Sequence, residues 1–306
     1  MELVFIFFRG SINIERAGGL VVVSVQALAC LDLLIWLRTG QAAAERLATS
    51  QPSVSRRVNQ VAQVFGLELV KSQGEWLVDG DAELLNRERR VHQLYRWQND
   101  QPLRLEAQSY SGPLFCPGLS TNWIQGNFDF FEVHTPLRHL RDGVIDAWIG
   151  IFPDLPDADD PELVCLHLTR YPIRLVVDEG HPLLDLGAPI SLDQVRRYPC
   201  FPLADGAFPQ VQAQLEALQL WTSTSLAEDW QFAPSDPLNV APATVFTMDL
   251  FGVKKVMLPV EIPIVSGDSL VVRREFAEHP RLQALLDHLR RKAAELAAAV
   301  PEVTCC

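Results

Sequence analysis

The residues best equipped to do chemistry sit in one short stretch: Thr49, Ser50, Gln51, Pro52, Ser53, Ser55, Arg56 and Arg57. Hydroxyls, a side-chain amide and two guanidinium groups on successive helical turns are the groups that meet base edges and phosphate oxygens. In that chemistry Arg56 pairs with a guanine and Arg57 holds a backbone phosphate, while the amides opening the helix offer a further phosphate site. The same polar set also fits the solvated side of an alanine-rich pair of surface helices. Residue type alone leaves both readings open.

Such side chains need a rigid mount, and the flanking sequence predicts one. Residues 25–37 have the apolar spacing of a buried helix, and Gly40 marks its break. Residues 41–48 predict a second helix. A third runs from Pro52 to about Phe65 and stops at Gly66, with Thr49 and Ser50 offering capping hydroxyls and Pro52 in a first-turn position. Ala43 and Ala44 permit close helix approach, and Leu47, Val54 and Val58 fill the space between, which is helix-turn-helix packing. Residues 67–78 read as a short hairpin turning at 72–74. Residues 81–98 read as a helix striped by Leu84, Leu85, Val91, Leu94 and Tyr95. Past a linker at 99–102 the pattern alternates. Strands are expected at 103–110, 128–133, 147–151, 163–168, 173–177, 200–203, 222–226, 256–259 and 270–273. Helices are expected after Gly112 and at 136–142, 210–220 and 280–299, an α/β arrangement with largely parallel sheets.

Charge divides the chain in the same place. The 306 residues carry a net charge of −12. Residues 38–97 hold nine Lys/Arg against seven Asp/Glu, whereas residues 98–306 hold 15 against 28. Any nucleic-acid contact therefore belongs to the first third, because the acidic remainder repels phosphate. The apolar stretch 20–37 reaches the length of a marginal membrane span. Asp32 near its middle is costly in lipid and favours a buried soluble helix. Residues 1–24 are an N-terminal extension without an evident structural partner. The six cysteines show no metal-ligand spacing, and Cys305 and Cys306 fall in a stretch expected to fray.

The run from Ala43 through Ser50-Gln51-Pro52-Ser53-Val54-Ser55 to Val58 resembles the recognition region of the LysR-type transcriptional regulators. Weaker likeness continues at Phe65–Leu69, Leu77–Leu85, Leu140–Ile149 and His181-Pro182-Leu183. Departures stand at Arg38-Thr39-Gly40, Ala62, Val70 and Val78, in a short 109–125 loop, and in the lack of a Gly-rich run within 221–251. The resemblance implies a winged helix-turn-helix domain (25–80), a linker or dimerisation helix (81–101) and a periplasmic-binding-protein-like α/β sensor (102–300). The sensor would have two subdomains, 102–162 with 268–300 and 163–267. It further implies a cytoplasmic homodimer or homotetramer that reads an inverted-repeat operator in double-stranded DNA and senses a small-molecule effector without cofactor or membrane. The effector would lie between the subdomains against Ser109, Tyr110, Ser111, His134, Thr135 and Asp205, a donor set suited to an anionic metabolite.

Two rival readings stand beside this one. An enzyme would need a nucleophile such as Cys200 with His134, His167 or His181 as base, but no triad spacing, phosphate loop or zinc-helix motif is present, and no catalytic or metal residue is assigned. The other rival is a membrane-tethered or free small-molecule-binding protein without DNA binding, with residues 20–37 as its anchor.

Overall fold

The computed structural model describes residues 23–72, 74–130, 132–200, 207–220, 237–248 and 254–306. Residues 1–22 of the extension, the strand expected at 222–226, and Asp205 lie outside them. The chain forms two compact units that divide between Leu85 and Asn86.

In the first unit, α1 (Val25–Leu37), α2 (Gly40–Arg46) and α3 (Gln51–Phe65) precede a hairpin of β1 (Glu68–Ser72) and β2 (Glu75–Asp79). Helix α1 starts where the Ser24 hydroxyl accepts from the Ala27 amide, the N-cap role of serine. Residues 27, 28 and 30–37 are all buried, so this part of the apolar run belongs to a small packed core. Among the described residues no helix is long and apolar enough to cross a membrane. Gly40 does not break α1: Arg38 does, in a left-handed conformation, and Thr39 caps α2 through the Ala42 amide. Helix α2 also stops at Arg46, two residues earlier than its sequence suggests, because Ala48 takes a positive φ to form the turn. Ser50 occupies the N-cap position of α3, but its hydroxyl faces the Ser53 hydroxyl at 2.9 Å rather than a backbone amide.

The second unit begins within α4 (Glu83–Gln98). It contains β3 (Leu103–Ala107), α5 (Ser111–Phe115), β4 (Trp123–Gln125), α6 (His134–Arg141), β5 (Ala147–Phe152), β6 (Leu163–His167), β7 (Thr169–Asp178), α7 (Leu192–Val195), α8 (Pro209–Ala217), β8 (Ala241–Ala243), β9 (Lys255–Arg273), α9 (Pro280–Ala299) and β10 (Thr304–Cys305). Two large hydrophobic cores form among the described residues of this unit. One gathers Leu105, Phe115, Ile149, Leu270 and Leu286 beneath α9. The other gathers Leu175, Val195, Leu215, Val240 and Leu258 around α7 and α8. Strand β9 joins them: residues up to Ser266 pair with β7, and residues 267–273 pair with β5 and β6.

This architecture corrects several expectations. The two strands predicted at 256–259 and 270–273 are one 19-residue strand. Over its first part β9 pairs, among the described strands, on one side only, with β7, and an edge tolerates Pro259. Only β3 with β4 and β3 with β5 pair in parallel among the described strands; β9 runs antiparallel to β5, β6 and β7, so the sheet is mixed rather than largely parallel. The strand expected at 128–133 is absent among the described residues, and its place beside β3 is taken by β4. Phe128 has φ +57°, and its ring lies where a Cβ on Gly112 would sit, so aromatic packing rather than strand propensity shapes that segment. Cys305 does not fray: β10 pairs with Thr169 and Arg170 of β7.

Candidate functional site

In the first unit the turn between α2 and α3 is closed by the Thr49 amide donating to Ala44 O at 3.0 Å. Ala43 and Ala44 are buried in the helix crossing, and Val54, Val58 and Val61 face inward from α3. That stripe fixes what the opposite side presents. Ser50, Gln51, Pro52, Ser55 and Arg56 are exposed, while Thr49, Ser53 and Arg57 are half-buried. The exposed groups are tied loosely to one another: Gln51 Nε2 donates to Ser55 Oγ at 3.1 Å, and Arg56 Nη2 to Ser53 Oγ at 3.3 Å. Such contacts leave the guanidinium and amide with further donors for a ligand. Arg57 is turned toward α1, with Nη1 3.9 Å from Cys30 Sγ. Burial raises the Cys30 thiol pKa despite that guanidinium. Sequence reasoning missed Asn59, Gln60 and Gln63, which continue the exposed face, and Lys71 on the hairpin, which lies over the Trp76 ring. The period of Val54, Val58 and Val61 was the signal that would have found the helical three.

In the second unit, Ser109, Tyr110 and Ser111 follow β3, and Tyr110 and Ser111 converge on a buried carboxylate. Asp268 accepts from Ser111 Oγ at 2.5 Å, Thr169 Oγ1 at 2.7 Å and Tyr171 OH at 3.2 Å. Tyr110 hydrogen-bonds Tyr171 and Ser266. Burial raises the Asp268 carboxyl pKa, opposed by its three hydroxyl donors. Burial and the Asp268 charge raise both tyrosines. These residues stand where β7 and β9 pass from one core to the other, so the cluster ties together the two halves of the unit. Asp268, Thr169 and Tyr171 carry no motif and were legible only in three dimensions.

His134 and Thr135 open α6. His134 is exposed and Thr135 buried, and both backbone amides donate to the Glu132 carboxylate. The chain's own acid thus already occupies that helix start. Asp154, in the loop after β5, lies within electrostatic range of both Tyr110 and His134, which brings the two predicted clusters toward one locus. Gln108, just before Ser109, is buried, and its Nε2 finds no partner among the described residues. The nucleophile rival gains nothing here. Burial pushes Cys200 up to about 12, the reverse of an activated thiolate, and both ring nitrogens of His181 are engaged with backbone groups of Leu183 and Leu238.

Comparison with known proteins bears on both units. The family described as LysR substrate binding domain matches residues 125–220. No curated protein sequence matches the chain. Among solved structures, a full-length OxyR point variant from Pseudomonas aeruginosa superposes with a TM-score of 0.54 at 20% identity, covering 88% of this chain and 95% of that one. Full-length CbnR, solved in complex with its target DNA, superposes with a TM-score of 0.50 at 16% identity, covering 88% of this chain and 99% of that one. At these identities the likeness is one of fold. It extends over both units of this chain. Residues 125–220 match the LysR substrate binding domain family, and over most of its length the chain shares the fold of full-length OxyR and CbnR.

Proposed function

We propose that this protein is a DNA-binding transcription regulator of the LysR type, reading an inverted-repeat operator through α3 and sensing a small metabolite in its second unit. The observation that carries the reading is the exposed Gln51, Ser55 and Arg56 face of α3, mounted on a packed helix-turn-helix in a chain that also holds a LysR substrate binding domain. CbnR, which shares the fold, was solved on its target DNA. Residues 25–80 form the reading domain, α4 the dimerisation helix, and residues 102–300 the sensor, with subdomains 102–162 plus 268–300 and 163–267. Along α4, Leu84, Val91 and Leu94 are exposed at spacings that line one side of a helix. They fit a two-fold partner helix in a homodimer or homotetramer.

The effector locus is Ser109, Tyr110, Ser111, His134 and Thr135, with Asp205 placed there by sequence position alone. Its hydroxyl and imidazole groups suit a carboxylate-bearing metabolite. The direct test of the reading is binding of the full chain to the DNA upstream of its own coding region, followed by fluorescence anisotropy. Arg56→Ala is expected to weaken binding by about 1–3 kcal/mol, some tenfold or more, and to relax preference at one base pair. Undiminished, equally selective binding by the variant removes Arg56 from base reading.

A further inference from the structure

Helix α8 opens without a cap of its own. Its N-cap residue is Phe208, which has no side-chain acceptor, and Pro209 follows. The amides of the first turn must still be satisfied. The acceptor comes from 56 residues away: Gln210 N donates to Asp154 Oδ1 at 2.6 Å, and Val211 N points to Asp154 Oδ2 at 3.4 Å. The two partners belong to different cores. Asp154 follows β5, whose Ala147 and Ile149 lie in the core beneath α9, whereas Val211 and Leu215 of α8 lie in the other. Asp154 is almost fully buried at this junction, with Tyr110 and His134 of its own half within electrostatic range.

We propose that Asp154 is a latch: a carboxylate from one half of the second unit that closes onto the amides opening α8 in the other half, and so holds shut the cleft in which the effector is expected. The contact suits that role. It joins a charged acceptor to the positive end of a helix dipole, which is strong, yet it involves only one side chain, so parting it disrupts neither core. It also specifies what an effector must do. A ligand that enters between the halves has to replace Asp154 on Gln210 N and Val211 N or leave those donors unpaired, and a ligand carboxylate meets that demand. The consequence for sensing rests on the effector reading above; the latch itself does not, and is tested with no ligand present.

The test is amide hydrogen exchange on the full-length protein, comparing wild type with Asp154→Ala and with Gln210→Pro. The second variant deletes one donor while proline stays compatible with a first helical turn, so α8 is expected to lose no more than its first residue and Asp154 is untouched. The latch predicts exchange faster by on the order of tenfold in both variants at the amides of residues 211–213 and also at the opposite wall, residues 108–112, 134, 135 and 137, with α9 unchanged. Acceleration confined to 211–213 would reduce Asp154 to a helix cap and overturn the proposal. No acceleration, or a uniform rise that includes α9, overturns it equally, since neither is an opening of the cleft. Failure of every metabolite to bind would defeat the effector reading and leave this result standing.

Discussion

Arg96 and Asp146 show how a single side chain can be committed by its surroundings. Asp146 is fully buried and accepts from Arg96 Nε at 3.1 Å and Nη2 at 3.0 Å, from Gln93 Nε2 at 3.1 Å and from the Arg104 amide at 2.9 Å. A buried pair contributes little beyond an apolar replacement of the same shape, but removing one member strands the other. Arg96→Met is therefore expected to destabilise the protein by about 3–5 kcal/mol, measured by urea denaturation; a loss below about 1 kcal/mol would show that water reaches Asp146. Asp268 makes a prediction with a definite sign. Burial holds its pKa above the ordinary 3.8, so the folded state favours the protonated acid. Its contribution is present at low pH and is lost as pH rises through the folded value. Asp268→Asn cannot titrate. As pH rises above that ordinary value of 3.8, the melting temperature of wild type should fall relative to that of the variant, whatever constant difference separates them. Parallel pH profiles for the two proteins would contradict this assignment.

At the scale of elements, the helix-turn-helix was legible because its cues are local. A first-turn proline, paired alanines and a terminal glycine each specify backbone geometry within a few residues. The alanine pair makes a packing prediction. Ala44 is 2% exposed, and Ala44→Leu should overpack the α2 to α3 crossing at a cost of about 1–3 kcal/mol, read by thermal unfolding. Helix α4 was legible in extent, but its apolar stripe conceals a division that only packing reveals. Trp97 stacks on Phe276 within the core of the second unit, while Leu84, Val91 and Leu94 remain exposed. If that exposed line is the dimer seam, Val91→Glu should shift the protein toward monomer in light scattering at micromolar concentration. An unchanged mass would move the seam elsewhere. The strands were read less well. Strand pairing depends on partners dozens of residues away, and proline, a reliable stop in a helix, proved tolerable along the one-sided stretch of β9.

Across the whole molecule, charge is divided unevenly along the chain. The protein is strongly acidic, yet residues 38–97 are net basic and include the exposed face of α3. If the proposed DNA binding holds, its affinity comes from a few cationic side chains against an unfavourable background and should fall steeply with salt. The log–log slope is expected near −0.9 for each phosphate neutralised, and Arg57→Ala, if Arg57 swings from Cys30 to a phosphate, should make it shallower by about one. A slope near zero would sink the DNA reading at the level of the whole chain.

What the sequence by itself determined was the helix-turn-helix: which residues form it, which of their faces is polar, and that an α/β region follows. These depend on periodicity and capping, which act over one or two helical turns. What only the tertiary structure decided was the interior of the second unit. The continuity of β9, the gathering of Ser111, Thr169 and Tyr171 around Asp268, and the reach of Asp154 across to α8 all join residues separated by dozens to more than 150 positions. No local propensity encodes such partnerships. They arise because buried polar groups must find acceptors and donors once the chain has collapsed, and the nearest ones in space are set by the packing of the two cores.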